Sequence, residues 1–281
     1  MTKKWNLIVD VAECHNCNNC FISCKDEYVG NNIPGYSASQ PLHGHKWINI
    51  LTKERGKFPM VEVCYVPTMC NHCDNAPCVK MGGGAVKKRD DGIVIIDPQL
   101  AAGRKDIVDA CPYGAIWWNE ERKLPQAWTF DAHLLDRGWE APRCVQSCPT
   151  GALKSLKVSD GEMQKIAQLE QLRPLDADLQ TRPRVHYKNL HLYDHLFICG
   201  SVVETKAGLT ECAMQVKVEL LKNGEVTRTA LSDAFGEFKF DMLKPNSGAY
   251  EIRAFHRDYR QQTLATSLGK ECVVLNPITL N

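Results

Sequence analysis

Four cysteines within eleven residues, Cys14, Cys17, Cys20 and Cys24, constrain this chain more tightly than any other feature. Their C-x2-C-x2-C-x3-C spacing is that of a loop wrapping a cubane [4Fe–4S] cluster, in which three close thiolates hold three irons and the fourth cysteine serves a neighbouring cluster. A second run, Cys70, Cys73 and Cys78, repeats the idea as C-x2-C-x4-C, and two Cys-Pro dipeptides, Cys111-Pro112 and Cys148-Pro149, follow downstream. A cubane takes four ligands, so each run of three needs one Cys-Pro thiolate. Spacing leaves open which run takes which. Two clusters built this way use eight cysteines and leave Cys24, Cys64 and Cys144 over.

Other uses of cysteine fit less well. Eleven of the fourteen cysteines fall in the first 150 of 281 residues, whereas disulfide scaffolds belong to small secreted chains. The start, Met1-Thr2-Lys3-Lys4-Trp5, has no apolar leader, and no apolar run reaches the roughly 18 residues of a membrane span, so a cytoplasmic chain without direct membrane contact is expected. Zinc knuckles also open with C-x2-C. Here His15 and His72 lie inside the knuckles and not at H-x3-5-H spacing, and four cysteines in so short a run crowd a single zinc. The net charge of +1 gives no electrostatic case for nucleic acid.

The second run is incomplete. A fourth cysteine is due near position 82, where the chain reads Met81-Gly82-Gly83-Gly84, and the three positions leading to Cys111 carry Ala101, Arg104 and Ile107. Both halves of one exchange pair are missing together, as expected if a further cluster has been lost and its site filled by protein.

Residues 5–155 resemble the four-cluster iron–sulfur subunit of molybdopterin oxidoreductases of the dimethyl-sulfoxide-reductase type, a doubled ferredoxin. The resemblance implies that Cys148 completes the set of Cys14, Cys17 and Cys20, and that Cys111 completes Cys70, Cys73 and Cys78. Against that family's last run, Ala127-Trp128-Thr129-Phe130-Asp131 puts Trp128 and Asp131 at two cysteine positions, ahead of Pro142-Arg143-Cys144 and Cys148-Pro149. An ionised carboxylate is an acceptable though harder iron ligand. A third cluster held by Cys24, Cys64, Cys144 and Asp131 is therefore expected, making three [4Fe–4S] clusters, with Trp128 packed as a shield. The alternatives are a loop aspartate beside a three-iron cluster or a water-ligated iron, and Cys64 as a buried free thiol. The resemblance further implies a large catalytic subunit as partner, carrying a molybdenum bis-pterin, in a heterodimer or a multimer of heterodimers. The three-cluster pattern and the appended C-terminal domain narrow it to members whose partner moves hydroxyl groups between polyhydroxybenzenes.

The C-terminal third reads differently. Residues 156–194 combine a helical stretch, Glu162 to Leu172, with Arg173-Pro174 and Arg182-Pro183, and are expected to form a connector. Its scattered His186, His191 and His195 read as surface or packing residues. From 195 to 281 the pattern alternates with period two, and Asn223-Gly224 between two such runs signals a hairpin. The expectation is an α+β chain: a doubled ferredoxin-like domain over 1–155, then an all-β antiparallel domain, a transthyretin-like or Ig-like sandwich or small barrel. Cys199, Cys212 and Cys272 lack ligand spacing and read as core packing. No residue set suggests catalysis on this chain, which is read as a conductor of electrons, the rivals being a free-standing polyferredoxin carrier and a zinc scaffold.

Overall fold

The computed structural model describes residues 2–206 and 208–281. From the N-terminus, β1 (Lys4–Asp10) leads to α1 (Asn19–Tyr28) and then to a hairpin of β2 (Ile48–Lys57) and β3 (Met60–Met69). Short elements follow: α2 (Pro77–Gly82), the hairpin of β4 (Val86–Lys88) and β5 (Val94–Ile96), and α3 (Asp106–Asp109). The hairpin of β6 (Trp117–Asn119) and β7 (Leu124–Gln126) precedes the single turns α4 (Ala132–Leu135) and α5 (Arg143–Gln146). Then come β8 (Leu153–Val158), α6 (Asp160–Leu169), β9 (Val185–Lys188) and α7 (His191–Asp194). The chain divides into two units, one made of the residues up to Thr52 and Tyr65–Leu190, the other of Lys53–Cys64 and His191–Asn281.

In the first unit, β1 is the centre of a three-stranded sheet, antiparallel to β8 and parallel to β9. Trp5 to Val9 are all buried, as a strand covered on both faces and both edges requires. This pairing changes the reading of residues 156–194. They are no free connector: β8 and β9 flank β1, and α6 between them starts with a capping box in which Ser159 and Glu162 satisfy each other's backbone N–H. The proline breaks turn the chain back to the sheet; they do not release it.

The second unit holds β10 (Leu196–Lys206), β11 (Leu209–Cys212), β12 (Lys217–Lys222), β13 (Glu225–Leu231), β14 (Glu237–Leu243), β15 (Gly248–Phe255), β16 (Gln262–Leu268), β17 (Val273–Val274) and β18 (Ile278–Leu280). One sheet runs β13-β12-β15-β16; the other is built on β10, paired with β11, β14, β17 and β18. Alternate residues of both, among them Val218, Leu220, Phe238, Phe240, Tyr250 and Ile252, form one apolar core. Asn223 and Gly224 take φ of 53° and 83°, the left-handed pair that a two-residue hairpin turn needs. Two expectations are corrected here. β17 and β18 run parallel to β10, because the chain crosses between sheets after β16 and does not return through a hairpin. Cys212 is exposed, since every residue of β11 faces solvent, while Cys199 is buried with its thiol near the Val273 carbonyl.

The tip of the β2–β3 hairpin belongs to this second unit. Arg55, 4% exposed, donates to both carboxylate oxygens of Asp241 at 2.8 and 2.7 Å and to Glu62 at 2.7 Å. Burial raises the Asp241 pKa, but the Arg55 hydrogen bonds and charge outweigh it and hold the carboxyl below its ordinary value. Removing one partner of a buried ion pair leaves the others uncompensated, at a cost of about 3 kcal/mol. Arg55→Ala is expected to destabilise the second unit by that order, read as faster amide hydrogen exchange across β10 and β14; unchanged exchange would contradict the assignment.

Candidate iron–sulfur centres

Cys14, Cys17, Cys20 and Cys148 are brought together by the β1–β8 pairing. Asp10 ends β1 four residues before Cys14, Leu153 opens β8 five residues after Cys148, and Val9 stands opposite Leu153. The Asp10 N–H donates to the Ala152 carbonyl at 2.8 Å, closing the sheet beside the thiols. Asn16 and Asn18, at φ of 55° and 61°, supply the left-handed turns that wrap the loop, a conformation asparagine tolerates better than most residues. Desolvation first, then the charges of Cys14, Cys17 and Cys148, push the Cys20 thiol up to about 12. Thiols packed in this way repel one another when ionised, so a positive centre is what makes four thiolates stable together.

Cys70, Cys73, Cys78 and Cys111 form the second set. Cys78 lies near the start of α2, where Pro77 occupies a first-turn position whose N–H needs no partner, and Cys111 follows α3. Desolvation, then the charges of Cys111 and Cys73, push Cys78 up to about 11. The Ala115 N–H donates to the Cys111 sulfur at 3.4 Å, the kind of bond that adjusts a ligating thiolate. His72, between Cys70 and Cys73, is fully buried; its Nδ1 accepts the Val94 N–H at 3.0 Å, and burial pushes its pKa down to about 3. Its Nε2, and the Trp47 Nε1, have no protein partner, and buried donors of this kind match the acceptor sulfides of a cluster. Both sets fit a [4Fe–4S] cluster by donor type and number.

The positions that lack cysteine after the second run are filled by packing. Ala101 and Ile107 have no exposure and pack with Val86, Ile96 and Ile116. A Cβ on Gly82 would lie 2.5 Å from Val86 Cγ2, so no side chain fits there without a shift. Arg104 turns outward to Asp106 and the Met81 carbonyl.

Cys24, Cys144 and Asp131 make a third group, 3%, 1% and 1% exposed. Cys20, Cys24 and Tyr28 share one buried face of α1 at successive i,i+4 positions, and Cys144 and Cys148 have the same spacing at α5. The third group therefore lies one helical turn, about 5.4 Å of rise, from the first set on α1. Desolvation followed by the Asp131 charge raises both Cys24 and Cys144 well above the ordinary thiol value. Asp131 Oδ1 accepts from the Tyr28 hydroxyl at 2.7 Å and from Trp128 Nε1 at 3.3 Å, and Oδ2 accepts from the Arg143 N–H at 2.8 Å. Phe130 and Asp131 sit at φ of 59° and 51°; for phenylalanine this costs about 1–3 kcal/mol, and it fixes the carboxylate inward.

Cys64 has neighbours of its own. It belongs to the second unit, where its thiol donates to the Leu192 carbonyl at 3.2 Å and the charges acting on it are Arg55, Lys53 and Glu62. That contact corresponds to the buried free thiol that the sequence leaves open as the alternative to ligation. Sequence reasoning had also passed over Tyr28, although its i+4 step from Cys24 on an amphipathic turn was a usable signal.

The chain is similar to several known proteins. A 4Fe-4S dicluster domain family matches residues 61–157. The small subunit of pyrogallol hydroxytransferase from Pelobacter acidigallici is 41% identical over 260 residues, covering 92% of this chain and 93% of that one. The arsenate respiratory reductase iron–sulfur subunit ArrB of Shewanella sp. (strain ANA-3) is 27% identical over 64% of this chain and 94% of its own. The iron–sulfur subunit of a putative dimethyl sulfoxide reductase from Halobacterium salinarum is 32% identical, over 66% and 79%. The thiol sets and these matches define an iron–sulfur electron-transfer protein. More particularly, the chain belongs to the iron–sulfur subunits of the dimethyl-sulfoxide-reductase family of molybdoenzymes, and its similarity to the pyrogallol hydroxytransferase small subunit extends over both units.

Substitution separates the ligands from the bystander. Cys73→Ala is expected to lose about four irons per chain and to loosen the first unit, because ligation contributes folding energy. Cys64→Ala is expected to keep the full iron content; a loss of about four irons would return Cys64 to the ligand set.

Proposed function

We propose that this chain is the electron-conducting subunit of a complex whose large catalytic subunit carries a molybdenum bis-pterin, and that the complex is a hydroxytransferase acting on pyrogallol and phloroglucinol. The observation that carries the proposal is the pair of complete four-thiol sets beside a third buried donor group, in a chain similar along nearly its whole length to a hydroxytransferase small subunit. Bound there, the clusters supply one-electron chemistry.

The chain's own contribution is spacing and insulation. The i,i+4 step from Cys20 to Cys24 on α1 keeps the first and third centres adjacent, and the packed His72, Trp128 and Phe130 rings fill the protein between the second set and Asp131. Hydroxyl transfer between two phenols leaves no net electrons, so in such an enzyme the centres poise the molybdenum site or hold electrons transiently. A second reading, a wire in another molybdopterin oxidoreductase, is favoured by the reductase subunits that match about two thirds of the chain. A free-standing carrier makes no use of the second unit. No helix is long and apolar enough to cross a membrane among the described residues, and a cytoplasmic heterodimer, or a multimer of it, is proposed.

Anaerobic purification from the native source, without a tag on the partner, tests this. Molybdenum in a larger co-eluting chain, with hydroxyl exchange between pyrogallol and phloroglucinol, is the expected result. Co-elution without that exchange supports the second reading, and a solitary chain without molybdenum overturns both.

A further inference from the structure

We infer that Trp47 tunes the second centre: its indole N–H donates to a sulfur of the cluster held by Cys70, Cys73, Cys78 and Cys111 and raises that cluster's reduction potential. This rests on the electron-transfer reading above and assigns the group that sets one of its centres apart.

Cys70 and Cys78 border a cavity whose lining also includes Trp47, all three within the first unit. The other polar side chains of that lining are engaged elsewhere. The Tyr36 hydroxyl donates to Asp136 at 2.6 Å, and the Ser37 hydroxyl donates to the Ala38 carbonyl at 2.8 Å. The Gln126 amide donates to the Ala38 and Ser39 carbonyls and accepts from Asn119, and the Thr129 hydroxyl pairs with that of Tyr28 at 2.6 Å. Trp47 Nε1 is buried and has no protein partner. An indole N–H can only donate, and a buried donor left unpaired is costly, so the cavity calls for an acceptor. The sulfurs of a cluster on Cys70 and Cys78 are acceptors of that kind.

The ring is held in place. Trp47 is 1% exposed, directly precedes β2, and packs on Tyr28 at 4.8 Å between centroids. The Tyr28 hydroxyl is itself tied to Thr129 and Asp131, so the indole rests on a fixed support and its N–H has no access to solvent. His72 Nε2 is the other unpaired donor beside the set; its ring lies against Trp128 and Phe130, and His72 is not among the residues that border the cavity. One-electron reduction adds negative charge to the iron and sulfur atoms of a cluster. An N–H dipole aimed at a sulfur stabilises the reduced form more than the oxidised form, and the potential rises.

The test compares the wild type with Trp47→Phe in the anaerobically purified complex, with the indole nitrogens of tryptophan isotopically labelled. EPR-monitored titration reads the potential of each cluster, and pulsed EPR reads the coupling of labelled nitrogen to each reduced cluster. The second centre is identified as the signal that Cys73→Ala removes. Trp47→Phe takes away the N–H and keeps a ring. It is expected to retain all its iron, to move the potential of the second centre to a more negative value while leaving that of the first centre in place, and to lose a nitrogen coupling that the wild type shows. A potential that moves with the couplings unchanged marks altered packing and overturns the inference. A coupling lost without a shift in potential overturns it too, as does a wild type with no nitrogen coupling at the second centre, where a water then satisfies the indole. If Trp47→Phe loses iron, Trp47→Met, flexible enough to fill the space and without a donor, takes its place; iron lost from both variants marks a structural role and overturns the tuning role. A complex without molybdenum defeats the proposed function while leaving these measurements valid, and a chain without iron defeats both.

Discussion

Mutual repulsion among packed thiolates is the constraint on which the first unit depends. Cys14, Cys20, Cys70, Cys73 and Cys78 are desolvated and lie within the charge of neighbouring thiols, so their ionised forms are unstable without a positive centre. Apart from the buried sheet β8-β1-β9 and the helices α1 and α6, much of the unit is short turns and hairpins such as α3, α4, α5, β4–β5 and β6–β7. Elements so short are marginal by themselves. In the proposed arrangement metal ligation couples them: a thiolate from the N-terminal loop and one from the far end of the unit share a cluster, and the sheet register holds them within reach.

Around Asp131 the same economy of space takes another form. Where the family uses cysteine, this chain has an aromatic ring and a carboxylate, and both are absorbed into one buried network with Tyr28, Thr129 and the Arg143 N–H. Glu27 and Arg143 pair across the helix packing, which fixes the segment that presents Cys144. Trp128, Phe130 and His72 then form a continuous set of ring contacts leading towards the second thiol set. The group is thus specified by hydrogen bonds and ring packing as well as by sulfur.

The second unit is a conventional apolar core between two sheets, with no thiol set among its described residues; Cys199 and Cys272 lie close to each other but use their sulfurs in packing and backbone contacts. Its ionic feature is the Arg55 cluster, in which a hairpin from the middle of the first unit's sequence is anchored by Asp241 and Glu62. Cys64, a few residues along the same hairpin, donates its thiol to the Leu192 carbonyl.

Local spacing by itself determined the chemistry. Within one loop, thiols two or three residues apart can meet only around a compact metal centre, so the cluster type, the two runs and the absent one were legible without coordinates, as was the Asn223-Gly224 hairpin. What lay between distant segments was not legible. The β1–β8 register carries Cys148 to Cys14; β9 draws residues 156–194 into the sheet; the Arg55 anchor ties the hairpin tip to Asp241; a sheet crossing makes β17 and β18 parallel; and an edge strand leaves Cys212 in solvent. Each of these is a long-range pairing whose stability comes from burial and backbone hydrogen bonds shared by segments far apart in sequence, and no local pattern encodes which segments will share them.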